Sequence, residues 1–253
     1  LQPVDTQTVS FKDAAHRILA EDVAAAYDHP PATVSAMDGY AVQTGGAPLP
    51  AGSKFAVIGE AAAGHLFSKT ITRKQAVRIF TGGHVPEGAD TVILQEDVSL
   101  HENTVTLNEA AKPRQFIRPA GMDFKTGQIV LRSGTAMGAR QMALAALSGH
   151  AETLTVRRKP LVAILSSGDE LVPPGTPPAP AQLVNSNSTF LAHSVQLAGG
   201  EPVNLGIVPD QPGALTQHLS KGQNNQKRPF DLILTTGGAS VGRYDHILSD
   251  LTA

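Results

Sequence analysis

Apolar and polar positions follow three patterns along the chain, and each predicts a different kind of structure. In residues 10–22, Phe11, Ala14, Ala15, Ile18 and Leu19 fall on one face at helical spacing. Ser10 followed by Asp13 makes a capping-box-like start, with Asp in place of the usual Glu, so a packing helix is predicted. Between residues 25 and 124 the apolar runs are short, at 55–58, 76–80, 91–94 and 104–107, with Gly, Pro and polar turns between them. This predicts a small all-β unit, with His101-Glu102-Asn103 closing a hairpin between the last two runs. A short strand at 128–131 and an Ala-rich helix over about 138–148 follow, with Gly149 as the C-cap.

From about residue 157 strands alternate with helices. Residues 161–165 are wholly apolar, as a buried parallel strand requires. A helix over 186–198 ends at Gly199-Gly200, a strand spans 203–208, a short helix 212–219, and a third strand 231–235. This alternation predicts a doubly wound α/β layer. The Pro-rich stretch 173–180 reads as stiff, extended surface, and 220–229 as a polar loop. The expected fold class is therefore α/β plus β. It has a mixed domain from 1–24 and 125–156, an inserted β-rich domain at 25–124, and an α/β domain at 157–253.

Composition narrows the function. Aromatic residues are 4% with no Trp, so the cores must be aliphatic. Lys and Arg total 20 against 22 Asp and Glu, leaving no basic excess for a phosphate backbone; nucleic acid is not an expected partner. The longest apolar run is six residues, 142–147, where a membrane helix needs about 20, so no membrane is expected. With no Cys there is no thiolate nucleophile and no Cys-type zinc site. The closest two His, His16 and His29, are 13 residues apart and form no helical ligand pair. No basic-then-apolar leader precedes the first helix, which fits a cytoplasmic location.

In an open parallel sheet, ligands bind beyond the carboxyl ends of the strands. Three loops should meet there: Ser166-Ser167-Gly168-Asp169-Glu170, Val208-Pro209-Asp210, and the Gly- and hydroxyl-rich run from Thr235 to Gly242. Backbone N–H groups of the third loop can approach an anion closely. Asp169, Glu170, Asp210 and Asp245 beside such a cradle suit Mg²⁺ bridging to phosphate, although each acid can also simply cap a loop. Gly238-x-Ser240-x-Gly242 matches a hydrolase nucleophile elbow, but only 13 residues follow Ser240, too few for the acid and His of that fold. The β-rich region has its own unusual stretches around Asp38, Thr81 and Asp123, each of which also reads as a plain Gly turn.

Six stretches carry a resemblance. They are SAMDGYAV (35–42), AVRIFTGGHVPEGADTVILQED (76–97), IRPAGMD (117–123), VAILSSGDEL (162–171), LGIVPD (205–210) and TGGASVGRYD (236–245). In this order, and over nearly the whole chain, they resemble the MoeA-type molybdopterin molybdenumtransferases, the family that includes the gephyrin E domain. The resemblance implies a homodimer that takes adenylylated molybdopterin and molybdate, inserts molybdenum into the dithiolene and releases AMP, with Mg²⁺ as the metal. It implies that the α/β domain, expected to be incomplete at its C-terminus, binds molybdopterin. It implies a site shared with the β unit of the other subunit.

Carried over position by position, Asp38, Thr81, Asp123, Glu170 and Asp245 would be catalytic, with Glu170 and Asp245 on the metal. Arg118, Ser167, Gly168, Asp169, Asp210, Gly237, Gly238 and Ser240 would bind substrate. The chain departs from the family at Asp210-Gln211, where two acids are common, and at Asn185-Ser186-Asn187, where Asp-Ser-Asn is usual. A non-catalytic molybdopterin-binding or scaffold module of the same fold is the alternative.

Overall fold

The computed structural model describes residues 2–62, 64–237 and 250. The chain forms two compact units. A β unit comprises Asp22–Arg132 and Ala143–Ala151; an α/β unit comprises Leu1–Glu21, Ser133–Met142 and Glu152–Ala253. Helix α1, Ala139–Leu147, spans the division and ends at Gly149, whose φ of 98° only glycine adopts without strain.

The β unit is built on a six-stranded sheet. Its strands are β1 (Gly39–Val42), β2 (Lys54–Ala61), β3 (Gln75–Ile79), β4 (Thr91–Leu94), β5 (Val98–His101) and β6 (Thr104–Leu107), in the order β4-β1-β3-β2-β6-β5. Alternate residues serve two cores. Tyr40, Val42, Ala76, Ile93 and Val105 face one side, and Ala41, Val77, Ile79 and Val92 the other. Both are mainly aliphatic, with Tyr40 and Phe55 as buried aromatic residues in the first. In the interior strand β1, a Cβ on Gly39 would lie 1.9 Å from the Ile93 carbonyl oxygen, so only glycine lets β4 pair there.

Two expectations are corrected here. The hairpin at Glu102-Asn103 joins β5 to β6, with His101 opposite Thr104, while the run at 91–94 pairs with β1 at the far edge. β5 was invisible as an apolar run because it is mostly exposed. Second, residues 10–22 are not a helix. Thr6–Ser10 is a strand antiparallel to Thr153–Arg157, followed by one 3₁₀ turn, Phe11–Ala14. The Ser10 cap is real: its Oγ accepts from Asp13 N at 3.4 Å and donates to Asp13 Oδ2 at 2.6 Å. The turn stops because His16 takes a φ of 61° and the following backbone bonds across the chain. Leu19 N donates to Thr135 O, and Leu19 bridges Val156. Burying Ala14 and Leu19 needs no helix, because the turn and the bridge already place both inside.

The α/β unit carries a parallel sheet of β7 (Leu161–Ser167), β8 (Glu201–Val208) and β9 (Leu232–Thr236), with β7 in the middle. The apolar run of β7 is buried on both faces. Val162 and Ile164 pack with Val195 of helix α2, Ser186–Leu197, and Ala163 and Leu165 pack with Leu215 of helix α3, Ala214–Asn224. Helix α3 runs into the predicted loop 220–229. Its buried spacing continues through Leu215, Leu219 and Gly222, and only the outward positions are polar. Its N-cap, Gly213, has no side chain; Asp250 supplies the cap, accepting from Gly213 N at 2.9 Å and Leu215 N at 3.2 Å.

The Pro-rich stretch is exposed as expected, but it turns back, with Thr176 N donating to Pro173 O, between the paired strands Leu171–Val172 and Leu183–Val184. At the opposite end of the sheet, Asp231 accepts from both Arg158 Nη atoms, from Arg228 and from Leu161 N. That network fixes where β7 and β9 begin.

Candidate functional site

The sheet of the α/β unit opens, at its carboxyl end, into a cleft of about 400 Å³. Ser167 ends β7 and Glu170 follows it, Thr236 ends β9 and Gly237 follows it, and Asn185, Ser186 and Asn187 start helix α2. The geometry follows from the sequence. Buried Ser166 donates its hydroxyl to Asn185 Oδ1 at 3.0 Å, and the same oxygen caps α2 by accepting from Ser188 N at 3.3 Å. This aims the N-terminus of a twelve-residue helix, with its partial positive charge, into the cleft. Asn187 Nδ2 donates to Thr236 Oγ1 at 3.1 Å, tying the helix start to the third strand. Gly237 has a φ of 84°, and a Cβ there would lie 2.3 Å from the Ser167 carbonyl oxygen. Two strand-end loops can touch only because that position is glycine. Glu170 folds back over Gly168, where its carboxylate would meet a Cβ at 2.6 Å.

Of the predicted residues, Ser167, Glu170 and Gly237 line this cleft. Asp169 and Asp210 lie outside its lining and hold the loops together. Ser167 Oγ donates to Asp210 Oδ1 at 2.6 Å, and Asp210 N donates to Asp169 Oδ1 at 3.2 Å. Gly238, Ser240 and Asp245 lie outside the described residues. Sequence reasoning did not select Asn185, Ser186, Asn187 or Thr236. For the first three the signal was the polar run before Thr189, which reads as a plain helix start; Thr236 lies in the Gly- and hydroxyl-rich run of the third loop.

The unusual stretches of the β unit also come together. Strand Val34–Ser35 pairs with Ile117–Arg118 on one side; on the other, Ser35 N donates to Gly83 O and Gly82 N to Ser35 O. The loops bearing Asp38, Thr81 and Asp123 are thereby gathered around one short strand. Asp38 Oδ1 accepts from Thr81 N and from Thr81 Oγ1, both at 2.8 Å. The Thr81 N–H, then its hydroxyl, then the Arg78 charge hold the Asp38 carboxyl below its usual value against some desolvation. The Arg78 guanidinium lies 5.0 Å from the Tyr40 ring centroid and 5.2 Å from that of Phe80. Arg118 Nη2 donates to both oxygens of Asp123, at 2.7 and 2.6 Å, so this cation is already paired. His29 Nε2 stands 3.7 Å from Asp123 Oδ2, its ring stacked on Phe124.

Among the described residues no group of three or more His, Cys, Asp or Glu is placed to hold a metal ion. The cleft's donors are oxygens and amides with one carboxylate, Glu170. That set fits a hard cation such as Mg²⁺, which takes most of its shell from phosphate and water and one or two carboxylates from the protein. No helix among the described residues is long and apolar enough to cross a membrane.

Comparison with known proteins converges on one family. Residues 163–250 match a domain described as "Probable molybdopterin binding domain". A curated molybdopterin molybdenumtransferase of Nostoc sp. is 38% identical over 96% of this chain and 55% of its own length. Another, of Haemophilus influenzae, is 37% identical over 96% of this chain and 59% of its length. The chain thus spans somewhat more than half of these relatives. A crystal structure of a molybdopterin biosynthesis MoeA protein from Pyrococcus horikoshii superposes with a TM-score of 0.81, at 28% identity, over 100% of this chain and 63% of that one. Another from Pyrococcus horikoshii OT3 gives a TM-score of 0.81 at 32% identity over 92% of this chain and 62% of that one. Since residues 1–149 match the MoeA N-terminal region (domain I and II), the chain belongs to the MoeA family.

Proposed function

We propose that the chain is the molybdopterin-handling part of a molybdopterin molybdenumtransferase. In this reading it takes adenylylated molybdopterin and molybdate, the phosphoanhydride is cleaved, AMP leaves, and molybdenum passes to the dithiolene sulfurs. The observation that carries this reading is the cleft at the carboxyl end of β7 and β9. It combines a capped helix N-terminus, a glycine whose backbone lies against the opposite loop, and one carboxylate. Such a site suits a phosphate-bearing, multiply anionic ligand.

Each residue then has a task. The amides of Ser186 and Asn187 and the hydroxyl of Thr236 bind the phosphate end, with Ser167 set beside it by its bond to Asp210. Gly237 and Gly238 let the backbone approach it, and Ser240 adds a hydroxyl. Gly168, Asp169 and Asp210 set the shape of the loops. Glu170 and Asp245 would hold Mg²⁺, which when bound offsets the charge of the substrate phosphates. Asp38, kept ionised by Thr81, positions substrate or accepts a proton, and Asp123 does the same with Arg118 as its counter-ion. A two-copy assembly, a cytoplasmic location, the doubly wound layer and the division into 1–24 with 125–156, 25–124 and 157–253 belong to the same proposal.

The test is to make Glu170→Gln and Asp38→Asn separately, in this chain and in a form as long as its relatives. Cofactor formation from adenylylated molybdopterin and molybdate is then measured. Each change should lower the rate at least about 100-fold. Near wild-type rates in both variants would overturn the assignment.

A further inference from the structure

The β unit has a second cavity, of about 410 Å³, that shares no residue with the cleft of the α/β unit. Its volume is in the range of small-molecule sites. Its floor is apolar, formed by Phe55 of the buried core and by Leu49 packed against it. Its rim carries Lys54, Arg73 and Lys74, with no acidic residue in the lining.

Three cations around an apolar floor are unusual in a chain whose net charge is −2. None of the three has an ion-pair partner among the described residues. The nearby acid, Asp90, is already used: it accepts from Thr44 N at 2.7 Å, Thr44 Oγ1 at 2.9 Å and Gly45 N at 3.0 Å. The hydroxyls of the lining are also engaged, Thr44 with Asp90 and Ser53 with Pro50 O at 2.6 Å. The cations, together with the Gln43 side-chain amide, are therefore the donors left for a ligand.

The turn that carries two of them has a fixed backbone. Gln75 Oε1 accepts from both Thr72 N and Thr72 Oγ1 at 2.9 Å, which staples the turn bearing Arg73 and Lys74. Lys74 takes a φ of 66°, a conformation that a side-chain-bearing residue adopts only when its surroundings fix it. Arg73 leans over the next loop, with Nη2 3.2 Å from where a Gly45 Cβ would lie.

We propose that this cavity is a second ligand site, built for a small phosphate monoester with an apolar body. A dianionic head meets three positive charges, one of them a guanidinium that can take two oxygens at once, and the organic part covers Leu49 and Phe55. The site lies within the β unit and does not depend on the function proposed for the cleft.

The experiment titrates phenyl phosphate into the 253-residue chain at low salt and follows backbone amide chemical shifts. Saturating shifts at Thr44, Lys54, Phe55 and Lys74 are expected. Inorganic phosphate, which lacks the apolar body, and benzoate, which carries a single charge, should each bind at least about five-fold more weakly. Lys54→Gln and Arg73→Gln, both at exposed positions, should each weaken phenyl phosphate about five-fold while leaving the rest of the spectrum intact. Shifts that do not saturate, that saturate only at residues 166–170 and 236–237, or that survive both substitutions would overturn the proposal. Equal binding of benzoate would overturn the assignment to phosphate monoesters.

Discussion

Asp231→Asn tests how the α/β unit is held in register beneath its cleft. The Asp231 side chain is 19% exposed, and it accepts from Arg158, from Leu161 N at 2.7 Å and from Arg228 at 3.1 Å. Hydrogen bonding from Arg158, more than the Leu161 N–H or the two arginine charges, pulls its carboxyl from 3.8 down to about 2 despite desolvation. The same pairing raises Arg158 and is counted once, on the carboxylate. A drop from 3.8 to about 2 corresponds to about 2 kcal/mol of stability. The folded value lies below the unfolded one, so this contribution is fully present above pH of about 4 and is lost as pH falls toward about 2.

Urea unfolding followed by circular dichroism should give an Asp231→Asn variant about 2 kcal/mol less stable than wild type at pH 7. Its melting temperature should fall roughly 4–8 °C. The gap should shrink steadily between about pH 4 and pH 2. A gap below about 0.5 kcal/mol at neutral pH, or one equally large at pH of about 2, would refute the reasoning.

Other outcomes follow from single contacts. Gly237→Ala forces a Cβ to within 2.3 Å of Ser167 O at a positive φ. It should cost roughly 2 kcal/mol in unfolding free energy and weaken ligand binding in the cleft. Gly39→Ala, with its Cβ 1.9 Å from Ile93 O, should cost about 3 kcal/mol and loosen β4 from β1, seen as faster amide exchange across that pair. Thr81→Ala removes one of two donors to Asp38, so carbon-detected titration should show the Asp38 carboxyl rising toward its usual value. No movement would mean that Thr81 does not hold the charge.

Much of the fold was legible because burial dictated residue type. β7 reads as apolar from Leu161 to Leu165 and is buried on both faces; β4 and β6 have the predicted ends. Pairing was not legible. β5 is a mostly exposed edge strand with no apolar signature, so the hairpin was given the wrong first strand. Residues 10–22 have helical spacing, but their backbone bonds are long-range, to Thr135, Thr155 and Arg157, which no local pattern reveals. Helix α3 was cut short because its outward positions are polar while Leu219 and Gly222 stay inside. In the cleft, Ser167, Glu170 and Gly237 could be read from strand ends. Asn185 and Asn187 act through contacts to Ser166 and Thr236, distant in sequence.

The most direct test of the central claim is where molybdopterin binds. Titrating it into the 253-residue chain and mapping amide shifts should give saturating changes at Ser167–Leu171, Asn185–Asn187 and Thr236–Gly237, lost in Gly237→Ala. Saturable binding mapped elsewhere, or no binding while the chain stays folded, would contradict the account.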